Sequence, residues 1–174
     1  MRTNRFSILL SLSLVAVLAT SAGSCLFSPE RVPEGRLTGY EGCKDFLPAG
    51  SRTGDGGPGP GWECLEYEYD GRSVLRLKHI NAGFNCCPGT ISADIFISEG
   101  VIRIRERESS ALCDCDCLYD LEYEFVHIKP GSYRISAAGP YQREGDRPLE
   151  FVVDLDGPVS GSFCVERTHY PWSI

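Results

Sequence analysis

Five sulfurs crowded into two short runs are the densest chemistry in this sequence: Cys86-Cys87 and Cys113-Asp114-Cys115-Asp116-Cys117. Further cysteines stand at Cys43, Cys64 and Cys164, and the ninth is Cys25. Thiols at such density pair oxidatively, bind soft metals as thiolates, or exchange with other disulfides. Exchange chemistry usually runs through Cys-x-x-Cys, and that spacing does not occur here. A metal reading draws on His79, Cys86, Cys87, Cys113, Cys115 and Cys117, which could supply four soft ligands for Zn²⁺ or Cu(I). A disulfide reading leaves no such ligands and no metal or other cofactor.

Other reactive groups are sparse. The three histidines are His79, His127 and His169. His79 is in phase with Leu75 and Leu77, as a hydrogen-bonded core residue would be. Gly-x-Ser-x-Gly, His-Glu-x-x-His and a phosphate loop are all missing, so the sequence gives no catalytic residues and the expectation is a non-enzyme. Asp154-Leu155-Asp156-Gly157 lacks the later ligands of a calcium loop and reads as a strand end and turn. Trp62, Trp172 and several tyrosines could form a sugar-stacking platform, or could equally be buried.

The N-terminus decides which thiol chemistry the compartment allows. Arg2 and Arg5 precede the apolar run from Phe6 to Ala19, and small residues follow to Ser24. The run is shorter than the roughly 20 residues of a membrane span and has the flanks of a signal peptide, expected over residues 1–24. Ala22-Gly23-Ser24-Cys25 resembles the lipobox of bacterial lipoproteins, with Ala22 where Leu is usual. The resemblance implies that Cys25 becomes the acylated N-terminus, carrying palmitate-type chains into a membrane. Leu26, rather than Asp, follows it, which resembles sorting to the outer membrane of the cell envelope. Using Cys25 for lipid leaves eight cysteines, an even set. An exported compartment oxidises thiols, so disulfides outrank metal. One arrangement pairs Cys43 with Cys64, Cys86 and Cys87 with two members of the triplet, and Cys164 with the third. Without the two arginines of the leader the charge falls from −7 to −9. That balance disfavours nucleic acid and anionic lipid as partners, leaving membrane attachment to the acyl chains and a protein or glycan partner open.

The elements that must hold these residues read as β-strands. Residues 25–61 carry repeated Gly and Pro, ending Gly54-Asp55-Gly56-Gly57-Pro58-Gly59-Pro60-Gly61, and read as a loose tether interrupted only by Cys43. Residues 62–174 then alternate. Leu65, Tyr67 and Tyr69 alternate with glutamates up to a turn at Asp70-Gly71; Leu75, Leu77 and His79 return. Ile91, Ala93, Ile95 and Ile97 lead to a turn at Glu99-Gly100 and a strand over Val101 to Glu106. Tyr119, Leu121, Tyr123 and Phe125 follow, then Tyr133 to Ala137, Leu149 to Leu155, and Phe163 with Val165. If the strand through Tyr119 extends backwards, Cys113, Cys115 and Cys117 share its buried face, about 7 Å apart. About eight such strands predict an all-β, antiparallel β-sandwich.

Two resemblances refine this. Lys129-Pro130-Gly131-Ser132-Tyr133 resembles the tyrosine corner of immunoglobulin-like and fibronectin type III-like domains. It implies an immunoglobulin-like sandwich with the Tyr133 hydroxyl bonded back to the preceding loop. The segment from His79 through Asn85-Cys86-Cys87-Pro88, the stretch Cys113 to Leu121, and the ending Cys164-Val165-Glu166-Arg167 to Tyr170-Pro171-Trp172 look like a group of cysteine-rich envelope lipoproteins. That resemblance covers about residues 75 to 174 and carries no activity with it. The expected function is a membrane-anchored binding or structural module. The alternatives are a metal-binding lipoprotein and a carbohydrate-binding or adhesion module.

Overall fold

The period-2 alternation is realised as nine strands among the described residues of a computed structural model, which describes residues 31–44 and 58–172. They are β1 (Glu34–Glu41), β2 (Trp62–Asp70), β3 (Val74–Asn85), β4 (Ile91–Ser98), β5 (Val101–Glu108), β6 (Asp116–Val126), β7 (Ser132–Ala138), β8 (Leu149–Asp154) and β9 (Pro158–Glu166). One sheet has the order β1-β6-β3-β2-β9 and the other β4-β5-β7-β8. The two pack as a sandwich. Leu65, Leu75, Leu121 and Phe125 of the first sheet lie in one buried cluster with Ile102, Ile104, Ile135 and Leu149 of the second. Each of these side chains contributes about 1.5–3 kcal/mol by leaving water.

The turns follow the residues that mark them. Glu99 and Gly100 both have positive φ, the two-residue hairpin geometry that matches strand twist. At the β2–β3 turn, Asp70 Oδ1 accepts from the amides of Arg72, Ser73 and Val74. Those three bonds hold its carboxyl below the usual range. The corner is also present: the Lys129 amide bonds the Tyr133 hydroxyl, while burial pushes that phenol up. The Tyr69 hydroxyl donates to the Ile128 carbonyl at 3.0 Å and pins the same loop.

Three expectations need correction. The residues read as tether include β1, which pairs antiparallel with β6 from Glu34↔Val126 to Glu41↔Asp120. Its apolar signal is missing because inward position 35 is glycine: a Cβ there would sit 2.5 Å from the Phe125 ring. The sandwich therefore begins before residue 62. The strand through Tyr119 starts only at Asp116, so of the triplet Cys117 alone reaches the buried face; Cys115 is exposed and Cys113 half-buried. Finally, β5 and β7 pair in parallel. The strand order also differs from the immunoglobulin arrangement, in which the first, second, fifth and fourth strands share a sheet. The immunoglobulin-like feature is the corner. The signal peptide, Cys25, Leu26 and the Gly-rich part of the tether up to Gly57 lie outside the described residues.

Candidate functional site

The sulfur chemistry is concentrated at one end of the sandwich. Cys86 and Cys87 follow β3, and Cys113 and Cys115 precede β6, so two loops meet edge to edge. Cys86 pairs with Cys115 and Cys87 with Cys113, as the sequence arrangement had it for the Cys-Cys run. Asn85 organises both loops: its Nδ2 donates to the carbonyls of Cys113 at 2.7 Å and Cys115 at 2.8 Å. Its Oδ1 accepts from the amides of Cys87 and Cys113. The other two pairings differ from expectation. Cys64 joins Cys164, not Cys43, because β2 and β9 are neighbours and these residues stand opposite in register. Cys43 joins Cys117, which fastens the segment after β1 to the start of β6.

This pairing breaks up the predicted metal set. All eight described cysteines are in disulfides and offer no thiolate. His79 is not brought to them, since both its nitrogens are engaged elsewhere. The sulfurs that do converge are Cys43, Cys86 and Cys117, whose Sγ atoms all lie within 4.8 Å of one another. Cys43 was outside the predicted ligand set, because its approach depends on β1 joining the sheet.

His79 lies between the sheets and is fully buried. Its Nδ1 lies 2.6 Å from Glu106 Oε1, and its Nε2 2.9 Å from Glu63 Oε1. Burial alone would depress the imidazolium, but the Glu106 and Glu63 carboxylates outweigh it and push the pKa up to about 10. Glu63 is 1% exposed and meets Arg167, which is 3% exposed, at its other oxygen: Arg167 Nε donates to Oε2 at 2.6 Å. Burial opposes ionisation of Glu63, yet His79 and Arg167 hold its carboxyl below the ordinary value. The Tyr123 hydroxyl donates to Glu106 Oε1 at 2.8 Å and is itself raised by burial. Two carboxylates thus face two cations in a closed, charge-balanced quartet. The sequence carried a signal for it that went unread. Glu63, His79, Glu106 and Arg167 each stand in the apolar phase of a strand, in step with Leu65, Leu77, Ile104 and Val165 respectively.

The aromatic platform does not form. Trp172 is buried, its ring packed on Gly83 and its Nε1–H donating to the Asn81 carbonyl at 2.7 Å. Trp62 stays half-exposed without it. The Tyr170 hydroxyl instead accepts from the Asp116 amide at 2.7 Å and donates to the Asp116 carbonyl at 2.6 Å, closing the C-terminal end over the start of β6.

The two outer faces differ in charge pattern. On the five-stranded sheet, register aligns Arg36, Glu124, Arg76 and Glu68 in one row and Glu122, Lys78 and Glu66 in the next. These rows floor a shallow concavity of about 720 Å³ in which opposite charges neutralise one another across strands. On the four-stranded sheet, Arg103, Arg105 and Arg107 form one column along β5, and Arg134 stands on β7. Arg107 pairs with Asp94 and Arg134 with Glu150, whereas Arg103 covers the exposed Phe96 ring.

Comparison with family models, with curated proteins and with solved structures finds no match to this chain. The likeness to cysteine-rich envelope lipoproteins rests on the residues quoted for it.

Proposed function

We propose that this chain is an extracytoplasmic lipoprotein, anchored in the cell envelope through acylated Cys25, whose disulfide-clamped β-sandwich works by binding and not by catalysis. The observation that carries this reading is the use of cysteine. The eight that follow Cys25 are consumed in four disulfides, so Cys25 is the one left over for lipid. Disulfides at this density belong to oxidising compartments. The non-catalytic part draws support from His79, the best acid–base candidate, whose nitrogens are both committed inside the core. A rigid scaffold with distinct outer faces suits presentation of a binding surface, and outer-membrane placement follows from Leu26.

The test is metabolic labelling with a clickable palmitate analogue in a Gram-negative host. The full chain is expected to carry label in the membrane fraction, and Cys25→Ala to lose label and become soluble. Label retained by Cys25→Ala, or none on the parent, overturns the anchor. In parallel, intact mass should rise by two hydrogens for each of the four bonds only after reduction. A second reading, a Zn²⁺ or Cu(I) site, is favoured by the convergence of Cys43, Cys86 and Cys117. It requires those disulfides to be opened, and stoichiometric metal on protein purified without reductant would reverse the ranking.

A further inference from the structure

The β5–β7 pair is parallel, and this puts small residues beside large ones on the outer face: Ser136 stands next to Arg103 and Ala138 next to Arg105. The arginine side chains form one wall above this low strip. The chain from Gly139 to Pro148, linking β7 to β8, forms the other. Two adjoining concavities of about 640 and 410 Å³ result, and they share Arg105, Ala138 and Gln142 as common lining. Together they make one trough along the strands. Arg105 lies at its centre, exposed, with no ion pair among the described residues. Arg103 and Arg107 extend the cationic wall at a spacing of about 7 Å. On a chain whose net charge is −7, this is a local reversal of sign.

We propose that this trough binds an acidic polysaccharide, with Arg103 and Arg105 as the carboxylate-recognising groups. The proposal deepens the binding-module reading and rests on it. Guanidinium forks match carboxylates, and arginines spaced along one strand suit charges that recur along a polymer. The trough is long and shallow and open along its length, which fits a chain better than an enclosed small molecule. Its floor is short and partly polar, so it offers no bed for an acyl chain. Both β5 and β7 are interior strands with partners on each side, so an extended peptide finds no free edge to pair with. The glycan would be held by charge and hydrogen bonds from Ser136 and Gln142 instead of ring stacking, consistent with the lost tryptophan platform.

The experiment measures binding of the full-length protein in neutral detergent to immobilised polygalacturonate, with dextran, polyglutamate and phosphatidylglycerol vesicles as comparators. Saturable binding to polygalacturonate and not dextran is expected, weakening as salt is raised to about 0.5 M. Arg103→Gln combined with Arg105→Gln should weaken it about tenfold. Arg36→Gln combined with Arg76→Gln makes the same charge change on the opposite sheet and should alter it less than about twofold. Near-UV circular dichroism confirms that both variants are folded. Equal loss in the two variants, absence of polygalacturonate binding, or preference for polyglutamate or vesicles overturns the proposal. Those outcomes leave Cys25 labelling untouched, and binding of another partner independent of Arg103 and Arg105 would sink the trough while sparing the module.

Discussion

The buried quartet makes stability depend on pH in a direction that surface charge would not produce. His79 titrates at about 6.5 when unfolded and at about 10 in the folded chain, because Glu106 and Glu63 overcome its burial. A group whose pKa rises on folding stabilises fully below its unfolded value, and the contribution drains away as pH climbs to the folded one. The step from 6.5 to about 10, at about 1.36 kcal/mol per pH unit, amounts to about 5 kcal/mol at low pH. Between pH 6 and pH 8 about 2 kcal/mol of it should disappear. Glu63 works from the other side: its lowered pKa stabilises above about 4.5 and is lost in acid. Stability should therefore be greatest between about pH 4.5 and 6.5. The assay is guanidinium unfolding of the oxidised protein, followed by the fluorescence of buried Trp172, at pH 6 and pH 8. His169, which pairs with Asp146 near the surface, is replaced by Gln so that His79 dominates the difference. Glu106→Gln preserves an oxygen for Nδ1 and the Tyr123 hydroxyl but removes the charge. It should cost about 3–5 kcal/mol and flatten the pH slope. Equal stability at pH 6 and 8, or ¹⁵N shifts of a neutral imidazole at pH 7, would refute the reasoning.

Three further perturbations probe the scaffold. Replacing Cys64 and Cys164 together by Ala removes a bond spanning 100 residues and should cost about 4 kcal/mol, read as a lower denaturant midpoint under oxidising conditions. Trp172→Ala leaves a cavity over Gly83 and an unpaired Asn81 carbonyl, and thermal melts by circular dichroism should show a loss of about 3–5 kcal/mol. Gly35→Val drives a side chain into the Phe125 ring; hydrogen exchange should show β1 amides opening first, with about 1–3 kcal/mol lost overall. No change in β1 exchange would mean that this strand is not seated as described.

Local demands wrote themselves into the chain, and long-range ones did not. Leu121, Tyr123 and Phe125 face inward because two-residue alternation on a half-buried strand leaves no other phase. Asp70-Gly71 and Glu99-Gly100 turn because their backbone needs are satisfied within a few residues. The pairing of Cys86 and Cys87 with the triplet was also legible, as adjacent cysteines cannot easily bond each other. Against this, Cys64–Cys164 depends on β2 and β9 being neighbours, and Cys43–Cys117 on β1 joining β6. Strand adjacency is a property of the sheet, and no spacing in the chain encodes it.

So the sequence by itself determined an all-β sandwich with its turns and corner. It also marked a leader, and the even set of cysteines beyond Cys25. Only the tertiary structure decided what the polar residues of the apolar phase do: Glu63, His79, Glu106 and Arg167 come from four strands and neutralise one another only once two sheets close. It also decided where the free charge lies. Arg105 has no ion pair because parallel pairing sets Ala138, with no charge to offer, at its side. A charge is balanced or left open according to its neighbours across strands, and those neighbours are fixed by how the sheets assemble.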